Sequence, residues 1–386
     1  MTPAARVSAA IDILDGILEG ARAETALTRW GRANRYAGSK DRAAIRDHVY
    51  DALRQRESAL GSAGGTRTGR SLMRGILNQQ AVDLDEIFTD ARFAPVPLRD
   101  DERVFDTPNT DWQRCDIPEW LWPQWCHSLG ERAIEIAHTL QQRAPVFLRV
   151  NLLKSTPVQA RDALLDAGYD VSLHADVPTA LCVTGRTAAL HLSDAYTEGL
   201  IELQDAHSQA SVTLLDPKQR GPILDYCAGG GGKSLALASW FGNAVDAHDL
   251  NPRRMTDLPA RAERANAQIS TLTKEALKNE YGVVFCDAPC SGSGSWRRDP
   301  EGKWALTQDQ LDALVLTQRE ILTDASKLVA PDGCLVYATC SVLACENQEQ
   351  LDWFLTENPG WRIVSQNQWI PNAQGDGFFT SVLSQL

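Results

Sequence analysis

The 386-residue sequence predicts an α/β protein in three parts: a helical domain with its linker over 1–140, a small α+β module over 141–204, and a mostly parallel sheet domain over 205–386. Three observations carry this reading. From residue 221 onward, apolar strand-like runs alternate with helical stretches, the pattern of a parallel sheet covered by helices. A glycine-rich turn stands between the first of those strands and its helix. The first 60 residues repeat apolar side chains at spacings of three and four, and the chain is too long for a single core.

The N-terminal part opens with one helix marked by Val7, Ile11, Leu14 and Leu18. A second is marked by Ile45, Val49 and Leu53, with Ser39 as its expected N-cap. "GSAGGTRTG" reads as a loop, "RSLMRGILNQQ" resumes the helical pattern, and 90–120 is a turn-rich acidic connection. The tryptophans of "DWQRCDIPEWLWPQW" read as packing rather than as base-stacking surfaces. The second part reads as a strand "VFLRVNLL", a capped helix "TPVQARDALLDAGY" and short strands "DVSLHA" and "TALCVTG". In the third part the expected strands are "PILDYCA", "NAVDAHD", a faint "QISTL", "GVVFCDA", "CLVYATC" and "DGFFTSVL".

Composition narrows the function. No stretch has the apolar core of a signal peptide or the ~18–20 apolar residues of a membrane span, so a cytoplasmic protein without membrane contact is expected. Nine cysteines, an odd number with no C-x-x-C, point to reduced thiols and away from zinc. Cys286 and Cys290 are four apart with no accompanying histidine, so no metal site is expected. The net charge of −12 argues against a generic polyanion binder, yet residues 1–80 are net +5 and residues 81–140 net −8. A basic face on an acidic protein is therefore open.

"ILDYCAGGGGKSLALASW" is a strand, a glycine loop and a helix, an arrangement that lets a ligand approach backbone N–H groups. A P-loop requires glycine where Cys227 stands, and a dinucleotide fingerprint starting at Gly229 requires glycine where Ser234 stands. S-adenosylmethionine fits better. Its methionine end would lie against Cys227, Ala228, Gly229, Gly230, Gly231, Gly232 and Lys233, and its ribose would meet Asp249 after the next strand. Glycines that merely make a tight turn are the competing reading.

Two thiols stand in similar settings, Cys290 in "DAPCSGSG" and Cys340 in "YATCSVL", each in a turn just past a predicted strand. In an open α/β sheet those ends share one crevice with the glycine loop. Cytosine chemistry gives a use for such a pair. C5 of cytosine accepts a methyl group only after a thiolate adds at C6, and a second thiol then assists release. Cys227, Cys286 and Cys334, within or beside apolar runs, read as packing.

These stretches carry a family resemblance. "DAPCSGSG" and "YATCSVLACEN" resemble motifs IV and VI of the Nop/Sun family of RNA cytosine-C5 methyltransferases, and "LDYCAGGGGKS" is similar to its motif I. "FLRVNLLK", "LQDAHSQ" and "GDGFFTSVL" resemble further family elements, so that the likeness covers about residues 145–386. The bacterial branch that methylates small-subunit ribosomal RNA adds a helical NusB-like RNA-binding domain, which "WGRANRYAGSKDRAAIRDHVYDALR" resembles. The resemblance implies a class I, Rossmann-like methyltransferase domain, S-adenosylmethionine as cofactor and ribosomal RNA as partner of a monomer. It makes Cys340 the nucleophile and Cys290 the thiol that assists release. It places Asp287 beside the cytosine, with Lys233 near it. The family's aspartate after the third strand is missing from "AQISTLTKEALKNEYG", where Glu275 or a backbone group would stand in.

A target base must leave its stack to reach a thiol, which looped RNA makes easier. Arg149, Asn151, Arg297 and Arg298 are the candidate RNA contacts. Three competing readings remain: the same chemistry on transfer RNA, a non-catalytic RNA-binding assembly factor, and a DNA cytosine methyltransferase.

Overall fold

The computed structural model describes residues 1–185, 187 and 189–386, which form two compact units. One comprises Met1–Arg143 together with Trp296–Leu306, the other Ala144–Ser295 and Thr307–Leu386. The small module thus shares a compact unit with the large sheet. A short segment far along the chain belongs to the helical unit.

In the helical unit, helices Pro3–Leu18, Ser39–Arg54 and Gly69–Gln79 bury Val7, Ile13, Leu14, Ile45, Val49, Leu72 and Met73 in one core. Ile11 and Leu18, expected on the buried stripe, are only partly buried against it. The cap before Ser39–Arg54 is Gly38 rather than Ser39: Asp41 reaches back to accept from the Gly38 N–H at 3.3 Å. Asp116 is fully buried and accepts from the backbone N–H groups of Glu57 and Ser58 at 2.7 and 2.9 Å, a carboxylate seated at a helix start. Burial pushes its carboxyl up to about 6. The segment Trp296–Leu306 is tied in by Arg54 donating to the Arg297 carbonyl at 2.8 Å and by buried Lys303 donating to the Arg54 carbonyl at 3.1 Å. Trp296 stacks on Trp125 at 6.0 Å, both buried, which gives this part of the tryptophan content to packing.

The small module has strands β1 (Val146–Val150), β2 (Val171–Leu173), β3 (Ala180–Val183) and β4 (Ile201–Leu203). Helix Pro157–Asp166 starts on a Thr156–Gln159 capping box and lies between β1 and β2. The short helix Asp194–Thr197 lies between β3 and β4. The antiparallel order β2-β3-β1-β4 makes this a βαββαβ, ferredoxin-like unit.

The large sheet is built from β5 (Ile223–Asp225), β6 (Val245–Ala247), β7 (Ile269–Thr271), β8 (Tyr281–Asp287), β9 (Val329–Thr339), β10 (Trp361–Trp369) and β11 (Phe378–Gln385). Its order is β10-β11-β9-β8-β5-β6-β7, with β5 to β9 parallel and β11 antiparallel to both neighbours. Val283, Val284, Phe285 and Cys286 are all buried, which accounts for the unbroken apolar run of a strand covered on both faces. The chain steps outward from β5 through β6 to β7, then returns to the other side of β5 as β8. That reversal opens a crevice beyond the carboxyl ends of β5 and β8. The unit is Rossmann-like, as expected from the sequence. β10 went unread in the sequence: it is an outer strand with polar Ser365, Gln366, Asn367 and Gln368 in its middle. No helix among the described residues is long and apolar enough to cross a membrane.

Candidate active site

The register of β8 with β9 aligns Asp287 with Ala338, so the turns that follow both strands emerge side by side. This places the Sγ atoms of Cys290 and Cys340 3.4 Å apart, within hydrogen-bonding distance. The hydrogen bond to Cys340, then burial, then the nearby Glu346 charge push the Cys290 thiol well above its ordinary value. The two thiols share one S–H···S contact, in which either sulfur can be the donor.

A residue to which the sequence reading gave no role holds the two turns together. Glu346 is fully buried. Its Oε1 accepts from the Ser291 backbone N–H at 2.7 Å and from Gln318 Nε2 at 3.1 Å. Its Oε2 accepts from Ser291 Oγ and Ser341 Oγ, each at 2.5 Å. The serine after each cysteine thus meets the same carboxylate. Ser293 Oγ adds a bridge, 2.9 Å from Ser341 Oγ and accepting from the Val342 N–H at 2.9 Å.

Beside the thiols, a cavity of about 290 Å³ opens at the ends of β5 and β6. Tyr226, Cys227 and Asp249 line it on the sheet side, and Pro289, the neighbour of Cys290, lines its far end. The opposite wall is Thr317, Glu320, Ile321 and Asp324 from helix Gln308–Ser326, a stripe at positions i, i+3, i+4 and i+7. In sequence that stripe is indistinguishable from an ordinary amphipathic face. Carboxylates on two walls and apolar surface between them suit a nucleoside carrying hydroxyl donors and positive charge. The donor set fits S-adenosylmethionine. After β7 the cavity is lined by Lys274, paired to Asp324 at 2.8 Å; exposed Glu275, the expected stand-in for the missing aspartate, does not line it.

The other expected residues are distributed as follows. Lys233 is buried and donates to Asp287 at 2.8 Å and to Ser208 Oγ at 2.8 Å, which holds Asp287 at the mouth of the crevice. Asp249 accepts from the Gly229 N–H at 2.9 Å and pairs with Arg254 at 3.0 Å, so it braces the glycine loop as well as lining the cavity. Only Cys227 of the 227–233 segment lines the cavity. Gly231 answers to packing: its φ is +84°, and a Cβ there would lie 2.1 Å from Leu258.

Three of the four expected RNA contacts are corrected by burial. Arg149 donates to Gln204 at 2.6 Å and to the Gly232 carbonyl at 2.7 Å, and Asn151 donates to the Gly199 and Ala265 carbonyls at 2.9 and 2.8 Å. Both are about 4% exposed, so they tie the small module to the sheet domain within one unit instead of facing RNA. Arg297 is 2% exposed in the helical unit, out of reach of a phosphate. Arg298 is exposed.

Comparison with known proteins agrees with this layout. The family described as "16S rRNA methyltransferase RsmB/F" matches residues 212–383, and its "ferredoxin-like domain" matches 117–189. "Ribosomal RNA small subunit methyltransferase B" of Vibrio cholerae is 31% identical over 290 residues, covering 71% of this chain and 67% of that protein. The protein of the same name from Pasteurella multocida is 30% identical over 320 residues, covering 75% and 69%. The chain thus spans about two thirds of the length of these relatives. The crystal structure of PH0851 shares the fold, with a TM-score of 0.76 at 22% identity over 100% of this chain and 99% of that one.

Proposed function

This chain belongs to the RsmB/F methyltransferase family, and from that premise we propose that it methylates C5 of a cytidine in 16S ribosomal RNA. The observation that carries the chemistry is the pair of thiols 3.4 Å apart at the ends of two parallel strands, next to a nucleoside-sized cavity. Asp249 and the walls around Cys227 would hold S-adenosylmethionine, which would supply an electrophilic methyl group there. Cys340 Sγ adds to C6 of the cytosine, and the ring electrons move to C5, which then takes the methyl group. Water then takes the C5 proton, the C5–H electron pair restores the C5=C6 bond, and the C6–S bond breaks with its pair returning to Cys340 sulfur. Cys290, still protonated, donates toward that sulfur as it leaves. Asp287, anchored by Lys233, meets the N3/N4 edge of the base.

The helical unit supplies a surface suited to RNA. Arg32, Arg42 and Arg46 border a groove of about 320 Å³ beside Trp30. With Arg29 and Arg35 they make no ion pair among the described residues, whereas Arg6, Arg54, Arg70 and Arg103 of the same unit all do. Unpaired cations around one groove favour a phosphate backbone.

The test is a denaturing gel of Cys290→Ala with S-adenosylmethionine and 16S ribosomal RNA. A covalent protein–RNA band is expected to build up and to be missing in Cys290→Ala/Cys340→Ala. Methyl transfer retained by Cys340→Ala overturns the nucleophile assignment. Methylation of transfer RNA alone overturns the substrate.

A further inference from the structure

We propose that Glu346 is the positioning residue of the thiol pair: its carboxylate fixes where both sulfurs stand. The inference rests on the two-thiol reading above and adds a residue to it. Among the described residues, all four groups bonded to the Glu346 side chain are donors and none is a cation, so it acts as acceptor throughout. A buried carboxylate held only by hydrogen bonds is costly, and such a site persists where its bonds fix a geometry.

The bonds reach three separate elements. Ser291 belongs to the turn after β8, Ser341 to the turn after β9, and Gln318 to helix Gln308–Ser326. Gln318 Nε2 also donates to the Pro289 carbonyl at 2.9 Å, which steadies the residue before Cys290. Glu346 itself is held from behind, where Tyr337 Oη donates to its backbone carbonyl at 2.6 Å. The protons can be followed without conflict: the Val342 N–H donates to Ser293 Oγ, Ser293 to Ser341 Oγ, and Ser341 to Glu346. Each cysteine is covalently next to a serine whose hydroxyl ends on Oε2. Displacing that oxygen therefore moves both sulfurs. The repeated Cys-Ser dipeptide has this physical reason: the serine after each cysteine anchors to a shared acceptor.

Glu346→Gln keeps the shape but turns an NH2 group toward two or more donors. It is expected to bind S-adenosylmethionine as wild type does, since Glu346 does not line the cavity. The direct readout is the rate of Cys290–Cys340 disulfide formation with diamide, which takes up the two thiol hydrogens, followed by peptide mapping. Thiols 3.4 Å apart are expected to couple readily in wild type. The rate is expected to fall about tenfold or more in Glu346→Gln, the scale of one lost charge-assisted hydrogen bond. In the methylation assay the same variant is expected to lose turnover and to hold less covalent RNA adduct than Cys290→Ala, because the attacking sulfur is displaced as well as the releasing one. An unchanged disulfide rate, or no disulfide in wild type, overturns the positioning role. If wild type methylates no RNA while disulfide formation depends on Glu346, the positioning stands and the substrate reading falls. Should Glu346→Gln fail to fold, Ser291→Ala and Ser341→Ala each remove one arm; wild-type coupling in both overturns the proposal.

Discussion

Asp225 shows how a single residue at this site is set by its surroundings. It ends β5, is fully buried, and accepts from Ser234 Oγ at 2.6 Å. Burial outweighs that bond and pushes its carboxyl up to about 7. The folded state therefore favours the protonated acid. Its contribution to stability is full below the ordinary carboxylate value near 3.8 and is lost as pH rises through about 7. At about 1.4 kcal/mol per pH unit, the loss amounts to about 4 kcal/mol. Asp225→Asn is expected to flatten the dependence of urea-unfolding free energy on pH between 4 and 7. A wild-type slope retained in that variant would place the titration elsewhere. At this scale the sequence marks Cys290 and Cys340 as thiols in turns after strands, and the fold sets them 3.4 Å apart. Glu346 lies in the stretch "YATCSVLACEN", yet nothing in the sequence gave it a role, because a carboxylate six residues after a cysteine has no assigned partner until the chain folds back.

At the scale of elements, the ends of β8, β9 and β11 are stitched together by close backbone approach. The Gly294 N–H donates to the Cys340 carbonyl at 3.0 Å, and the Gly377 N–H donates to the Gly294 carbonyl at 2.8 Å. A Cβ at Gly294 would lie 2.3 Å from the Gly377 carbonyl oxygen, with only backbone on the other side to give way. Gly294→Ala is expected to cost about 2 kcal/mol in urea unfolding, in the range of overpacking. It is also expected to lose methylation, because the turn carrying Cys290 is forced off Cys340. Wild-type stability and activity together would rule out that tight fit. The parallel strands were readable because full burial writes apolar runs. β10 was not, because polar residues occupy its middle and its pairing with β11 is decided across the sheet.

At the scale of the whole molecule, net charge misleads. The chain is net −12, yet Arg29, Arg32, Arg35, Arg42 and Arg46, which make no ion pair among the described residues, all lie on the helical unit. Arg32→Glu/Arg42→Glu/Arg46→Glu is expected to weaken RNA binding and to make its dependence on salt shallower, by about one in slope for each phosphate no longer neutralised. Calorimetric binding of S-adenosylmethionine should stay at the wild-type value, since these residues lie in the helical unit and the cavity in the other. An unchanged salt slope would remove this groove from the RNA surface. Domain organisation was only partly legible. Helical periodicity gave the N-terminal unit, and strand–helix alternation gave the sheet. The membership of Trp296–Leu306 in the helical unit depends on buried contacts such as Lys303 with the Arg54 carbonyl, between residues 249 apart in sequence.

The sequence by itself determined the strand–loop–helix order, the two cysteines in their turns and the glycine loop, because burial period and turn chemistry are local properties. Tertiary structure alone decided which groups meet. Parallel register brings Cys290 to Cys340, and one face of helix Gln308–Ser326 closes the cavity. The same packing buries Arg149, Asn151 and Arg297, which sequence offers as surface cations and amides. A charged side chain carries no mark in sequence of whether water or a carbonyl will satisfy it; only the packed neighbours settle that.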